Sequence, residues 1–206
     1  MLFRSGFDHH RLKGIHEQPA VLARTVASRV GDGDALLGEG WTDEEIAGLE
    51  RVQILGCGTA LHAGLVAQFL IEGLAGVPTD SDYASEFRYR NPRMVAGTMA
   101  LAISQSGETA DTLAALRLAQ SLGCRTGAIC NVQGSSLVRE AQSVLLTDAG
   151  PEIGVASTKA FTAQVARAFP VAGRRGRARG TRGAGRAGER AGALRGRARA
   201  RAPRAP

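Results

Sequence analysis

Residues 99–109, MALAISQSGET, decide the fold class that this sequence predicts. The run MALAIS is short and apolar, as is typical of a buried parallel strand. Gly107 follows it in a polar turn, and residues 109–122 are then rich in Ala and Leu, which favours a helix. The stretch therefore predicts a strand, a turn and a helix, the repeating unit of α/β proteins.

The same unit recurs on both sides of this stretch. Further strands are predicted at residues 52–57, 126–131 and 144–147, and further helices at residues 59–75 and 157–168. Strands that alternate with helices in this way predict a doubly wound α/β fold, here with a parallel sheet of about five strands.

Two helices are predicted ahead of the first strand. Proline is tolerated in the first turn of a helix, so Pro19 predicts a helix over residues 19–30. Thr42 and Glu45 have the spacing of a capping box, which predicts a short helix over residues 42–49.

Charge divides the chain into two unlike parts. The net charge of the 206 residues is +7, but residues 1–166 carry 13 Lys and Arg against 18 Asp and Glu, whereas residues 167–206 carry 13 Arg and one Glu. From Gly173 onward there is almost no apolar side chain that could offset the loss of chain entropy on folding. We therefore expect a helical lead-in at residues 1–50, the α/β domain at residues 51–166 and a disordered tail at residues 167–206.

Two interpretations of the Arg/Ala/Gly-rich tail are open. We hypothesise a reading-frame shift in a GC-rich gene, since GC-rich codons encode Arg, Ala, Gly and Pro. The other interpretation is nonspecific binding of nucleic-acid phosphates by the arginines. It is disfavoured because no aromatic residue that could stack on bases follows Phe169.

Composition argues against several protein classes. No uncharged apolar run approaches the ~18–20 residues of a membrane span, and the first thirty residues lack the apolar stretch of a secretory signal. The three cysteines, Cys57, Cys124 and Cys130, have no metal-binding spacing and predict reduced thiols. The sequence thus predicts a cytoplasmic protein without a membrane contact or a metal.

The turn after residues 99–104 is rich in hydroxyl groups. Backbone N–H groups at the start of a helix, with the hydroxyls of Ser104, Ser106 and Thr109, could cradle a phosphate, and Gly107 would allow close approach. A cradle without lysine suits a sugar monophosphate better than a nucleoside triphosphate. The alternative is that Ser106 or Thr109 merely caps the helix.

Two other loops should reach the same edge of the sheet. Gly58 and Thr59 follow the strand at residues 52–57, where ligands of doubly wound sheets bind. Residues 150–161 feed the last helix and contain Lys159, which is expected to be a solvated surface charge. Cys57 is interpreted as a buried small residue rather than a nucleophile, and His62 as a packed or surface side chain. Together the loops predict a site for a small phosphorylated polyol.

Long motifs at these loops resemble the sugar isomerase (SIS) domain family, and within it the isomerase half of the glutamine–fructose-6-phosphate aminotransferases. The motifs are LKGIHEQP (12–19), ILGCGTALHAGLVA (54–67), ASEFRYRNP (84–92), AISQSGETADTLAALR (102–117), AICNVQGSS (128–136) and AGPEIGVASTKAFTAQ (149–164). The resemblance implies a flavodoxin-like fold. It implies sugar-phosphate contacts at Gly58, Thr59, Ser104, Gln105, Ser106, Thr109, Val155 and Ser157.

The resemblance also sets expectations about activity. It implies conversion of fructose 6-phosphate and glutamine into glucosamine 6-phosphate and glutamate, in hexosamine biosynthesis, by a homodimer without a metal or organic cofactor. Family members carry a glutaminase domain and a second SIS domain that we expect this chain to lack, so no catalytic residue is assigned. The family usually has serine at the position of Ala60. The competing interpretation is a non-catalytic SIS module that senses a sugar phosphate.

Overall fold

The structure, a computed structural model, describes residues 6–27 and 42–178. Within them, five strands form one sheet in which every pair of neighbours is parallel, in the order β2-β1-β3-β4-β5. The strands are β1 (Arg51–Gly56), β2 (Thr79–Tyr83), β3 (Thr98–Ser104), β4 (Arg125–Cys130) and β5 (Ser143–Leu146). The predicted doubly wound α/β sheet is confirmed.

Helices cover both faces of this sheet. They are α1 (His10–Ala27), α2 (Asp43–Ala47), α3 (Thr59–Ala75), α4 (Ala84–Phe87), α5 (Ala110–Ser121), α6 (Ser136–Glu140) and α7 (Lys159–Ala178). The core on one face joins side chains of β1, β3 and β4 to α2, α3 and α7, and the core on the other joins the sheet to α4, α5 and α6. Among the described residues, no helix has both the length and the apolar character needed to cross a bilayer.

The order of the strands creates a topological switch point between β1 and β3. The chain leaves β1 towards β2 on one side, and later leaves β3 towards β4 on the other side. The connections that follow β1 and β3 therefore diverge at the carboxyl ends of these two neighbouring strands. This switch point is where open α/β sheets bind their ligands.

Strand β2 was missed by the sequence analysis because its residues, TDSDY, are polar. It lies at the edge of the sheet and pairs only with β1, from Val52↔Thr79 to Gly56↔Tyr83. An edge strand needs less apolar surface than a central one, so hydrophobicity does not reveal it.

Helix α1 corrects the prediction of a helix over residues 19–30. It begins nine positions earlier than expected, at His10, and passes through Pro19. Pro19 has no N–H for the carbonyl of Ile15, but the side-chain amide of Gln18 donates to that carbonyl over 3.2 Å. The glutamine thus replaces the missing donor. Residues 28–30 lie outside the described part of the chain.

Helix α7 corrects the expected start of the disordered tail at residue 167. The helix continues to Ala178, and Val171 and Ala172 are buried in the core beside α3 and the sheet. The buried guanidinium of Arg167 pairs with Asp148 over 3.1 Å. The run AFPVA at residues 168–172 is still apolar, so the helix continues to bury side chains beyond residue 167. Residues 179–206 lie outside the described part, and their disorder stays a prediction.

Candidate functional site

The loop after β1 (residues 57–59, the first loop) and the loop after β3 (residues 104–109, the second loop) lie side by side at the switch point. The third loop, residues 147–158, joins β5 to α7. Gly56 at the end of β1 is in register with Ile103 of β3, so Gly58 and Thr59 emerge next to residues 104–109. The buried hydroxyl of Thr112 on α5 donates to Cys57 Sγ over 3.8 Å, which joins the two connections. The structure therefore brings the first two predicted loops together.

Two hydroxyl groups of the second loop accept hydrogen bonds from backbone amides of the same loop. Ser104 Oγ accepts a hydrogen bond from Gly107 N over 3.0 Å, and Ser106 Oγ accepts one from Glu108 N over 3.2 Å. These two amides are not free, although the sequence analysis predicted free amides here. A hydroxyl that accepts a bond keeps its own proton. Ser106 is half-buried and can still donate to an anion, whereas Ser104 is only 3% exposed, and its contact with a phosphate stays a prediction.

The start of α5 contributes the remaining polar groups of this loop. Thr109 is the N-cap residue, yet its side chain makes no capping hydrogen bond, so the interpretation that Thr109 merely caps the helix is wrong. Gln105 is half-buried, and its backbone carbonyl accepts from Asn131 N over 3.3 Å. The Thr109 hydroxyl, the Gln105 amide and the free N–H groups of the first helical turn are thus available to a ligand.

Nearby carboxylates are held by their own partners. Glu108 accepts from Ser136 N over 2.7 Å, and this hydrogen bond is the main cause that lowers the pKa of Glu108. Asp111 accepts from Arg88 over 2.8 Å. Two acidic side chains close to the hydroxyl-rich loop therefore have donors of their own, which limits their repulsion of a bound anion.

Gly58 in the first loop has a positive-φ backbone conformation that favours glycine. Gly58 has φ +55° and ψ −131° and precedes α3, whose first residue, Thr59, is half-buried. Ala60 is 8% exposed in the same first turn. His62 is exposed, in agreement with its interpretation as a surface residue.

Asn131, which the sequence analysis did not single out, ties the third loop to this edge. Its Oδ1 accepts from Thr147 Oγ1 (2.9 Å) and Ala149 N (2.8 Å), and its Nδ2 donates to Gly150 O (2.9 Å). Because the backbone N–H of Asn131 also donates to the carbonyl of Gln105, the start of the third loop lies beside the second loop. The signal was present, because Asn131 stands in the motif AICNVQGSS.

The predicted contact residues of the third loop are presented to solvent. Val155 is fully exposed and Ser157 is half-buried. No hydrogen bond described within residues 6–27 and 42–178 joins either of them to the first two loops. The start of the third loop therefore lies beside the second loop, while the roles of Val155 and Ser157 stay predictions.

Lys159 corrects the expectation of a solvated surface charge. It is only 6% exposed, and its Nζ donates to Glu17 of α1 over 2.6 Å. Glu152 in the same loop accepts from Thr158 N (3.2 Å), Thr158 Oγ1 (3.1 Å) and Ala160 N (2.8 Å). Two carboxylates thus hold the end of the third loop and the start of α7.

The three cysteines are free thiols, with Cys124 and Cys130 buried and Cys57 half-buried. Burial raises the pKa of the Cys124 thiol, which disfavours a reactive thiolate. Within the described residues, no group of three or more His, Cys, Asp or Glu is arranged to hold a metal ion.

Comparisons with known proteins agree on this architecture. The sequence profile of the SIS domain family matches residues 45–168. Over 165 residues, the chain is 55% identical to a glutamine–fructose-6-phosphate aminotransferase [isomerizing] of Methanosarcina acetivorans and 53% identical to one of Symbiobacterium thermophilum. Each match covers 79% of this chain but 27% of the relative, so the chain spans about a quarter of the length of these relatives.

A solved structure supports the same comparison. The C-terminal domain of a glucosamine-fructose-6-phosphate aminotransferase from Francisella tularensis superposes with a TM-score of 0.88 at 36% identity. The superposition covers 95% of this chain and 56% of that one.

Proposed function

The chain belongs to the SIS domain family, and we propose that its described part binds fructose 6-phosphate as the first SIS domain of a glutamine–fructose-6-phosphate aminotransferase. The observation that carries the proposal is the switch point between β1 and β3, where the connections that follow these two strands diverge. Thr59 lies on one side of it, and Ser104, Ser106 and Thr109 lie on the other.

The phosphate would lie against the second loop. Hydroxyl protons of Ser104, Ser106 and Thr109 and the N–H groups at the start of α5 are donors to phosphate oxygens. No lysine or arginine lies within residues 104–109. A donor set of this kind neutralises less charge than a P-loop and suits a single phosphate group on a polyol.

The sugar would extend from the phosphate towards the first and third loops. Gly58 leaves the backbone open to approach, since nothing lies within 4 Å of a Cβ built there. Gln105, Ser157 and the backbone at Val155 would complete the contacts to sugar hydroxyls. Each such contact adds specificity, because a hydroxyl-binding group left without its partner costs about 1–3 kcal/mol.

Binding and turnover are separate parts of the proposal. Isomerisation needs a positioned acid and base, and the proposal assigns none among the described residues. Formation of glucosamine 6-phosphate, in a cytoplasmic homodimer serving hexosamine biosynthesis, is therefore proposed for the whole aminotransferase. For this chain alone we expect binding of fructose 6-phosphate without turnover.

Titration calorimetry on the full chain tests the binding. We expect fructose 6-phosphate and inorganic phosphate to bind, and fructose without a phosphate not to. Ser106→Ala and Thr109→Val should each weaken binding of both phosphates about 10–150-fold, from the loss of one hydrogen bond to a charged group. Ser121→Ala, at the far end of α5, is the matched control and should change neither affinity. Wild-type affinities retained in both site variants would overturn the proposal.

A further inference from the structure

The motif LKGIHEQP at residues 12–19 has no part in the proposed sugar-phosphate contacts, yet it lies in α1 against the third loop. Glu17, Lys159 and Glu152 border one cavity of about 70 Å³ between α1 and residues 151–153. Helix α1 also packs along α7, where Val21 shares a buried cluster with Ala149, Ala160 and Ala163.

Glu17 makes the strongest contact between α1 and this loop. Its Oε2 accepts from Lys159 Nζ over 2.6 Å, and its Oε1 lies 3.5 Å from Lys13 Nζ. The Lys159 side chain is 8% exposed, so its charge is largely removed from water and depends on this carboxylate. Loss of one partner of such a pair leaves an uncompensated buried charge, which a protein relieves by moving the charged side chain.

Two further contacts bring α1 against the same loop at different points. A Cβ built on Gly14 would lie 2.7 Å from Thr158 Oγ1, so a side chain at this position would have to displace the Thr158 hydroxyl. Near the other end of α1, Thr25 Oγ1 donates to the carbonyl of Thr147 over 2.5 Å. The helix therefore contacts both ends of the segment that carries Val155 and Ser157.

We propose that α1 is the positioning element of the third loop and that Glu17 is its positioning residue. Pairing with Lys159 fixes the start of α7 and thereby the place of Val155 and Ser157 over the bound sugar. Val155 is fully exposed and Ser157 is half-buried, and neither has a described hydrogen bond to the first two loops. The inference rests on the proposed function, since it assigns α1 a role in binding that same sugar phosphate.

Glu17→Gln tests the proposal in the full chain, with Lys13→Gln as matched control. The first change removes the charge that Lys159 needs, whereas the second removes the more distant cation beside Glu17 and leaves the Glu17–Lys159 pair in place. We expect Glu17→Gln to weaken fructose 6-phosphate binding at least about tenfold, because small displacements of positioning groups have large effects. Its affinity for inorganic phosphate, which contacts only the second loop, should stay within about twofold. Lys13→Gln should leave both affinities unchanged.

Gly14→Ala is an independent steric test that leaves every charge in place. Its Cβ displaces the Thr158 side chain and should weaken fructose 6-phosphate binding without affecting inorganic phosphate. Gly73→Ala on α3, where nothing lies within 4 Å of the added Cβ, is its control. If circular dichroism shows that Glu17→Gln does not fold, the comparison of Gly14→Ala with Gly73→Ala tests the positioning role of α1 instead.

Hydrogen exchange separates failure of this inference from failure of the proposed function. The amides of Thr158 and Ala160 donate to Glu152, and both should exchange at least about tenfold faster in Glu17→Gln than in Lys13→Gln. If wild type binds no fructose 6-phosphate, the proposed function fails, and unchanged exchange would then overturn the positioning role as well. If wild type binds and Glu17→Gln binds equally well with unchanged exchange, only the positioning role is overturned.

Discussion

Gly107 lies so close to Ser135 that a Cβ on this glycine would fall 2.5 Å from Ser135 Cβ and 2.8 Å from Cys130 Sγ. Gly107 also has φ +68° and accepts a hydrogen bond from Leu137 N over 3.0 Å. The hydroxyl-rich loop can therefore rest on the connection after β4 only because this position has no side chain.

Gly107→Ala should lower the free energy of unfolding by at least about 2 kcal/mol, because backbone strain and a clash act together. Gly123→Ala is a matched control, since Gly123 has φ +82° and nothing within 4 Å of an added Cβ. Urea unfolding of both variants separates strain from clash. Equal losses would show that the contact with Ser135 contributes nothing.

Ala60→Ser should tighten fructose 6-phosphate binding about 5–100-fold, which corresponds to one recovered hydrogen bond in a buried position. Ala60 is 8% exposed, directly after Thr59, at the position where the resemblance to the family implies a serine. Calorimetry with inorganic phosphate is the internal control. An unchanged affinity for phosphate with a tighter one for the sugar phosphate would place the hydroxyl against the sugar. No change in either would show that residue 60 does not contact the ligand.

The fold could be predicted wherever apolar sequence and buried structure coincide. Strands β1, β3 and β4 lie in the middle of the sheet and are almost wholly buried, so each appears in the sequence as a short, mostly apolar run. The edge strand β2 and the first half of α1 could not be predicted in this way. The former is polar, and the latter depends on the side chain of Gln18 acting as a backbone donor for Ile15.

The candidate site could be predicted in part. Its first two loops follow from the rule that ligands bind where neighbouring connections diverge, which needs only the strand order. The contacts of Lys159 could not be predicted, because Glu17 is 142 positions away and short-range pattern gives no information about such a pair. Asn131 and Glu152 were missed for the same reason, since both act by holding backbone groups of a distant or irregular segment.

Acid should weaken the contribution of the Glu17–Lys159 pair to stability. Partial burial raises the pKa of Glu17, but the hydrogen bond and charge of Lys159, with Lys13, outweigh it and hold the pKa below its ordinary value of 4.5. A carboxyl with a lowered pKa in the folded state stabilises the protein above its unfolded pKa, and this contribution is lost as pH falls through the folded value. The stability difference between wild type and Glu17→Gln should therefore be constant from pH 7 to 5 and shrink below about pH 4.5.

Urea unfolding at several pH values measures that difference directly. Lys13→Gln is the control, and its difference from wild type should be smaller at every pH, because Lys13 Nζ lies 3.5 Å from Glu17 and the closer Glu17–Lys159 pair is kept. A stability difference for Glu17→Gln that stays constant down to pH 3 would contradict the assignment of the lowered pKa to this pair.

Val171→Asp tests whether the chain remains folded beyond the predicted end of the last helix at residue 168. Val171 is 4% exposed and packs with Leu49, Met99 and Leu101 on the α3 face of the sheet. A carboxylate placed there loses its hydration without gaining a partner, which should cost at least about 3 kcal/mol of unfolding free energy. Val95→Asp, at a valine that is 56% exposed, introduces the same charge and should change stability by less than about 0.5 kcal/mol. Similar small effects in both variants would mean that the packing of α7 ends at residue 168, where the sequence pattern places it.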